Sequence, residues 1–444
     1  MSSISSTSGS YIILDNGGDS IKYGTNTSIE PNIMQNCSAK IPKQMNIFIG
    51  DQIDDIKTDG SSVTFSRPFE RGYLTNITCE VEIWNRLFSK NLMNITPSDS
   101  NLILTEAPFT PASLQNDMNE LIYEDFGFKS SLRRPAAWFS AYEFSRTNPT
   151  NAEHASCCTV IDSGFSFSHA YPFINNKCQK YACKRVNVGG KLLTNYMKEM
   201  VSYRYVNLMD NFKIVDRMKK DVTYVSLDFS TELQRSKLTK DAATGERLTP
   251  KDPFGNNMKK VFRLPDFASV MEGYWKDDYE MNEQMNIEQT QQAMMEARRK
   301  REIEEQFLVP VDSERFTVPE VLFRPSDVEI DQAGITEATW QSLNKLETVQ
   351  ELGLASANIV LTGGNINIPQ FSERFKSELR TFVPDIFPMQ IYKPPNPDTY
   401  AWYGAHRYVN DEINNGNIKK LLITRAEYLE QGNDYCNAKF YSQW

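Results

Sequence analysis

One short pattern occurs twice in this chain, far apart, and it narrows the available folds more than any bulk property does. The first copy runs Ile12-Ile13-Leu14-Asp15-Asn16-Gly17-Gly18 and resumes alternation through Ile21, Lys22 and Tyr23. The second runs Val160-Ile161-Asp162-Ser163-Gly164 and resumes through Phe165, Phe167 and His169. An apolar run, an aspartate, a small polar residue and a glycine before renewed alternation predict a β-hairpin. Glycine permits a tight turn and a close approach, so that backbone N–H groups can face a phosphate. An aspartate at the strand end can orient water around a phosphate-bound divalent cation. One such turn is commonplace, but two imply a duplicated fold with a cleft between its halves.

The length allows this, since 444 residues exceed what one core usually organises. A formal charge of −9 argues against a general nucleic-acid binder. The basic cluster Arg298-Arg299-Lys300-Arg301 is a local exception, read as a solvated helix face or an import signal. No run approaches the roughly 20 apolar residues of a membrane span. Residues 1–10 have no secretory pattern and read as a disordered tail. The seven cysteines lack metal-ligand spacing and are expected to stay reduced, Cys157-Cys158 as core residues on a strand.

Between the hairpins, residues 31–68 read as a small loop-rich lobe. A helix follows through Val81, Trp84 and Leu87-Phe88, then a buried strand Asn101-Leu102-Ile103-Leu104-Thr105 and an amphipathic helix over 112–126. After the second hairpin come a strand near 181–188, a helix opened by Gly189-Gly190, and a helix-then-strand over 213–228 that ends in Thr223-Tyr224-Val225-Ser226-Leu227. Residues 229–260 are polar. Residues 274–309 contain neither Gly nor Pro and predict a helical insertion over 268–309. It reads either as a solvated helix or as a partner-binding helix displaying Met281, Met285, Met294 and Ile303. A third glycine turn, Ile359-Val360-Leu361-Thr362-Gly363-Gly364, precedes an amphipathic helix through Phe371, Phe375 and Leu379. Alone it is a capping turn; beside two hairpins it becomes a cleft wall. His169 is expected to pack at the end of its hairpin.

Three glycine turns in this order resemble the actin and sugar-kinase superfamily, and the flanking residues narrow the likeness to actin. Leu104-Thr105-Glu106-Ala107-Pro108, Tyr224-Val225-Ser226-Leu227-Asp228-Phe229, Leu264-Pro265-Asp266, Pro319-Glu320-Val321-Leu322-Phe323-Arg324-Pro325 and Trp402-Tyr403-Gly404 match in order. The resemblance implies an α/β actin fold, a duplicated domain around a nucleotide cleft. The first domain would take residues 11–155 and 386–444, the second 156–385. It also implies ATP or ADP with Mg, held by Asp15, Asn16, Gly17, Gly18, Lys22, Asp162, Ser163, Gly164, Lys219, Gly363 and Gly364. Asp15 and Asp162 would act on the metal through water, and Lys219 would stand near adenine.

The departures point away from actin itself. Actin's second phosphate loop, Asp-Ser-Gly-Asp-Gly-Val, here reads Asp162-Ser163-Gly164-Phe165-Ser166-Phe167. Its water-positioning glutamine is expected near Ala141 or Tyr142, where none stands. Its Lys-Glu pair at the adenine is Lys219-Lys220, and a hinge histidine is Arg71. Phosphoanhydride hydrolysis depends on positioning and charge stabilisation, so these losses imply no efficient enzyme activity. Thr362-Gly363-Gly364-Asn365-Ile366-Asn367-Ile368-Pro369 and Ile423-Thr424-Arg425-Ala426-Glu427-Tyr428 are similar to the actin-related protein 6 group. That likeness implies a non-catalytic scaffold subunit of a nuclear Swr-type chromatin-remodelling complex that deposits a variant histone. Its partners would be the other subunits and, through them, histones or the nucleosome, with no membrane partner and direct DNA contact left open. A nuclear location with a cytoplasmic pool follows. The alternative is an ATP-hydrolysing, filament-forming actin-like cytoskeletal protein; a sugar kinase would need an acid–base set the sequence lacks.

Overall fold

Both copies of the repeated pattern fold as antiparallel hairpins in the computed structural model. Tyr11–Asn16 pairs with Ser20–Thr25, Asp15 opposite Lys22. Cys158–Ser163 pairs with Ser168–Ile174, Ser163 opposite Ser168. The structure describes residues 10–41, 47–56, 58, 63–148, 156–237, 249–276, 299 and 304–442.

On its other edge each leading strand takes a parallel neighbour. Leu14 lies opposite Leu104 of Asn101–Thr105, and Asp162 opposite Thr362 of Asn358–Thr362. Parallel strands are covered on both faces, and these two neighbours are correspondingly near-continuous apolar runs that are buried throughout. The first sheet has the order Ile423–Thr424, Ser130–Arg134, Asn101–Thr105, Tyr11–Asn16, Ser20–Thr25, Asn32–Gln35. The second has Lys177–Cys178, Ser168–Ile174, Cys158–Ser163, Asn358–Thr362, Gln390–Tyr392, with Lys184–Val186 also on Ser168–Ile174. A hairpin beside a parallel strand thus occurs twice, and the fold is α/β.

Helices Ala136–Thr147 and Tyr400–Asn414 cross between the sheets. They approach so closely that a Cβ on Gly404 would lie 2.0 Å from the Phe139 carbonyl oxygen, which explains a glycine in Trp402-Tyr403-Gly404. Arg407 grips Glu143 with two hydrogen bonds of 2.7 and 2.9 Å across the crossing. One apolar core takes Ile13 and Ile103 from the first sheet, Val160 and Val360 from the second, and Trp402 from the helix. Trp402 Nε1 donates to the Ile13 carbonyl at 3.2 Å, fixing this core to the first hairpin.

Several expectations need correction. The lobe over 31–68 is not merely loops, because Ile47–Ile49, Ser38–Lys40 and Thr64–Ser66 form a three-stranded sheet around Cys37, Ala39 and Ile53. Thr223–Leu227 is no strand. The Tyr224 amide donates to the Arg315 carbonyl and that of Val225 to Pro369, two unrelated segments, so residues 223–226 are buried without a ladder and Leu227 is exposed. The ends of the supposed helical insertion are also extended: Tyr274–Trp275 and Leu308–Val311 both pair with Lys260–Arg263. The middle of that insertion, with Met281, Met285, Met294, Ile303 and most of the basic run 298–301, lies outside the described residues, as do 1–9 and 238–248. The second sheet reaches Gln390–Tyr392, so the chain returns to the first half after 392 rather than at 386. Cys157 and Cys158 are both buried in the core, as read, but only Cys158 is on the strand, which begins there.

Candidate functional site

The two hairpin turns lie side by side on the wall of a cavity of about 790 Å³. Its lining brings together Asp15, Asn16, Gly17, Gly18, Lys22, Asp162, Gly164, Lys219, Gly363 and Gly364. Ser163 is not on that wall. Its hydroxyl contacts the Ser168 hydroxyl at 2.7 Å and accepts from Asn365 Nδ2 at 3.1 Å, behind the turn.

Each turn offers a pair of consecutive backbone donors. Among the described residues, the amides of Gly18 and Asp19 in the first and of Phe165 and Ser166 in the second carry no hydrogen bond. The neighbouring donors are used inside the turns, Gly17 N to the Asp15 carbonyl and Gly164 N to the Phe167 carbonyl. Unspent, adjacent N–H groups in tight turns are the ordinary means of holding phosphate oxygens. The third turn is set by Gly363, whose φ of +94° suits glycine, and a Cβ there would lie 2.3 Å from the Ser163 carbonyl oxygen.

The two aspartates end equivalent strands yet have unequal surroundings. Thr105 Oγ1 donates to Asp15 Oδ1 at 2.7 Å while accepting from Asn16 N at 2.9 Å. Lys22 Nζ stands 3.6 Å from Asp15 Oδ2. Thr362, the matching residue of the second sheet, instead donates to the Ile161 carbonyl at 3.3 Å. Asp162 has no ion pair or side-chain hydrogen bond among the described residues. Burial, with the charge of Asp15 adding to it, pushes its carboxyl up to about 6. Two neighbouring carboxylates repel a polyphosphate unless a divalent cation sits with it, so the donor set fits Mg²⁺ with Asp15 and Asp162 turned to its water shell.

Asn16 and Lys219 line the cavity but spend their polar atoms elsewhere. Asn16 Nδ2 donates to Glu80 Oε1 at 2.6 Å, and burial pushes that carboxyl up to about 7 against the pull of this bond. Lys219 Nζ donates to the Gly190 carbonyl at 3.1 Å, Thr194 Oγ1 at 2.7 Å and Asp216 Oδ1 at 2.8 Å. Its three protons are all used, which leaves its methylenes to face a ligand. Burial pulls the Lys219 ammonium down against the pull of Asp216. Although burial works the other way, Lys219 and Lys220 together hold Asp216 below the usual carboxylate range. Lys220 is the freer cation at this end, 2.7 Å from Asp216 and 3.6 Å from Asp19.

The wall contributed by Ala136–Thr147 is Ala136, Ala137 and Ser140 rather than Ala141 or Tyr142, so the expected position of a water-positioning residue moves there. No amide or carboxylate stands on it. His169 packs against Tyr171 and Phe167, and burial with the Arg185 charge holds its imidazole well below its ordinary range. Sequence reasoning quoted Thr105 only inside a motif and missed its grip on Asp15. The shared Leu-Thr of Leu104-Thr105 and Leu361-Thr362 was the available signal.

Paired glycine-turn hairpins at equivalent places in a duplicated sheet, with a third glycine turn on the same cavity wall, define a protein of the actin and sugar-kinase architecture. A family profile described as Actin matches residues 6–441. The chain is 34% identical over 440 residues to actin-related protein 6 of Arabidopsis thaliana, covering 97% of this chain and 99% of that protein. It is 32% identical over 480 residues to actin-related protein 6 of Dictyostelium discoideum, covering 98% and 95%. It is also 30% identical over 432 residues to actin-related protein 6 of Drosophila melanogaster, covering 95% and 97%. The chain belongs to the actin family, among its actin-related proteins of the actin-related protein 6 type.

Proposed function

We propose that this protein is a non-catalytic subunit of a nuclear Swr-type chromatin-remodelling complex, which places a variant histone into nucleosomes, and that its cleft holds ATP with Mg without efficient turnover. The observation that carries the second half is the composition of the cleft. The binding elements are in place: four unspent amides on two turns, two converging carboxylates, and Gly363. The elements that would ready a water for attack are not, because Ala136, Ala137 and Ser140 face the cavity and Phe165 occupies the second loop. N–H cradles hold a nucleotide that no group prepares for attack. The full-length likeness to proteins named actin-related protein 6 supports the scaffold role.

Affinity purification of the tagged protein from its own nuclei, followed by sizing and mass spectrometry, tests the first half. Recovery in a megadalton-scale assembly with a remodelling ATPase and a variant histone is expected. Recovery as a free monomer or a self-assembled polymer would overturn it and favour the filament-forming reading. Phosphate release from ATP tests the second half. The purified protein should release no more than an Asp15→Asn variant.

A further inference from the structure

Phe165 replaces an acidic residue of the family pattern, and the structure gives the ring a partner. Arg67 follows the small lobe's last strand, Thr64–Ser66, and its guanidinium carbon lies 4.7 Å from the Phe165 ring centroid and 5.6 Å from that of Phe212. The two rings meet edge to face at 6.2 Å, so the cation rests on an aromatic corner of the second half of the molecule. Its polar edge turns the other way. Arg67 donates to the Gly18 carbonyl at 3.2 Å and pairs with Asp19 at 3.3 Å, gripping the first hairpin's turn.

We propose that Arg67, Phe165 and Phe212 form a clasp that holds the two phosphate hairpins together and sets how fast a nucleotide leaves the cleft. This rests on the nucleotide reading above. The turns already touch, since a Cβ on Gly18 would lie 2.7 Å from Ser166 Oγ and 3.7 Å from the Phe165 ring. A seam of ion pairs continues the closure along the rim: Lys220 to Asp19 at 3.6 Å, Lys213 to Asp54 at 2.7 Å and Lys191 to Glu70 at 2.9 Å. In every pair the cation comes from the second half and the carboxylate from the first. These rim pairs are largely exposed and salt screens them, whereas the clasp is the less exposed part of the closure. A carboxylate at 165 would compete with the Gly18 carbonyl for the guanidinium, while an aromatic face leaves those donors on the first turn.

The test uses the full chain loaded with N-methylanthraniloyl-ATP and Mg, then chased with unlabelled ATP. Phe165→Leu and Arg67→Ala should each release the probe about 10-fold faster with little change in association rate. Arg67→Lys, which keeps the charge but loses the flat stacking face, should fall between. Lys213→Ala should speed release only at low salt. Release at the wild-type rate by both Phe165→Leu and Arg67→Ala overturns the clasp. If the wild type binds no probe, the nucleotide reading fails and a second readout decides the clasp alone. Energy transfer between dyes on the small lobe and on helix Phe229–Lys237 should then report a wider cleft in Phe165→Leu than in wild type, and equal distances overturn the proposal.

Discussion

Thr105 and Thr362 end equivalent strands in the two halves, and their hydroxyls do different work, so replacing each by valine compares the two sites in one experiment. Thr105→Val keeps the shape but strands two buried partners, the Asp15 carboxylate and the Asn16 amide. A lost hydrogen bond to a charged group is worth about 1.5–3 kcal/mol, and an orphaned buried donor costs about 1–3 kcal/mol. Allowing for partial relaxation, the variant should lose about 3–5 kcal/mol. Thr362→Val gives up one longer bond to a carbonyl that stays in its strand ladder, a loss of about 0.5–1.5 kcal/mol. The midpoints of these ranges differ by about 3 kcal/mol, some 150-fold in the unfolding equilibrium. Guanidinium unfolding of both variants and the wild type, followed by tryptophan fluorescence, reads it out. Thr105→Val should also weaken Mg-dependent nucleotide binding more than Thr362→Val. Equal midpoints for the two variants would refute the claim that Thr105 organises the first aspartate.

Asp162 titrates at about 6 when folded against an ordinary carboxyl near 4, so the folded state binds more protons between those values and stability falls as pH rises through that window. Asp162→Asn should therefore stabilise the ligand-free protein at pH 7.5, by up to about 3 kcal/mol, and hardly at all at pH 4, in paired thermal melts. The same variant should lose the extra melting temperature that Mg–ATP confers. Gly363→Ala, with its Cβ 2.3 Å from the Ser163 carbonyl oxygen and a φ of +94°, should destabilise by about 3 kcal/mol or more, whereas Gly364→Ala meets nothing within 4 Å; chemical denaturation separates them. Arg374 forms hydrogen bonds with Glu320 at 2.9 and 3.2 Å in the second domain's interior, and Arg374→Met should cost about 3 kcal/mol by leaving that buried carboxylate only the exposed Arg324 guanidinium at 3.4 Å, measured the same way.

The frame of the molecule was legible because its signals are local. An aspartate, a small residue and a glycine after an apolar run specify a hairpin whatever surrounds them, and both copies formed. The buried runs at 101–105 and 358–362 were equally readable, because apolar continuity is what a covered parallel strand requires. Features that depend on distant partners were not. Thr223–Leu227 looks like a strand, but its amides reach Arg315 and Pro369 rather than one neighbour. The absence of Gly and Pro between 274 and 309 suggested helix throughout, yet Tyr274–Trp275 and Leu308–Val311 find an edge on Lys260–Arg263. Lys219 was read as a ligand contact, and nothing in the sequence reveals that Gly190, Thr194 and Asp216 use its three protons. Phe165 read only as a loss, because Arg67 lies 98 residues earlier in the chain (165 minus 67).

The nucleotide content of the purified protein tests the account most directly. The chain is incubated with Mg–ATP, stripped of free nucleotide, denatured at intervals and its released nucleotide separated by chromatography. The account predicts close to one nucleotide per chain, recovered as ATP and unchanged over hours. Steady conversion to ADP with phosphate release would contradict it by giving the cleft a turnover that its lining does not explain, and an empty protein would contradict the nucleotide-holding reading altogether.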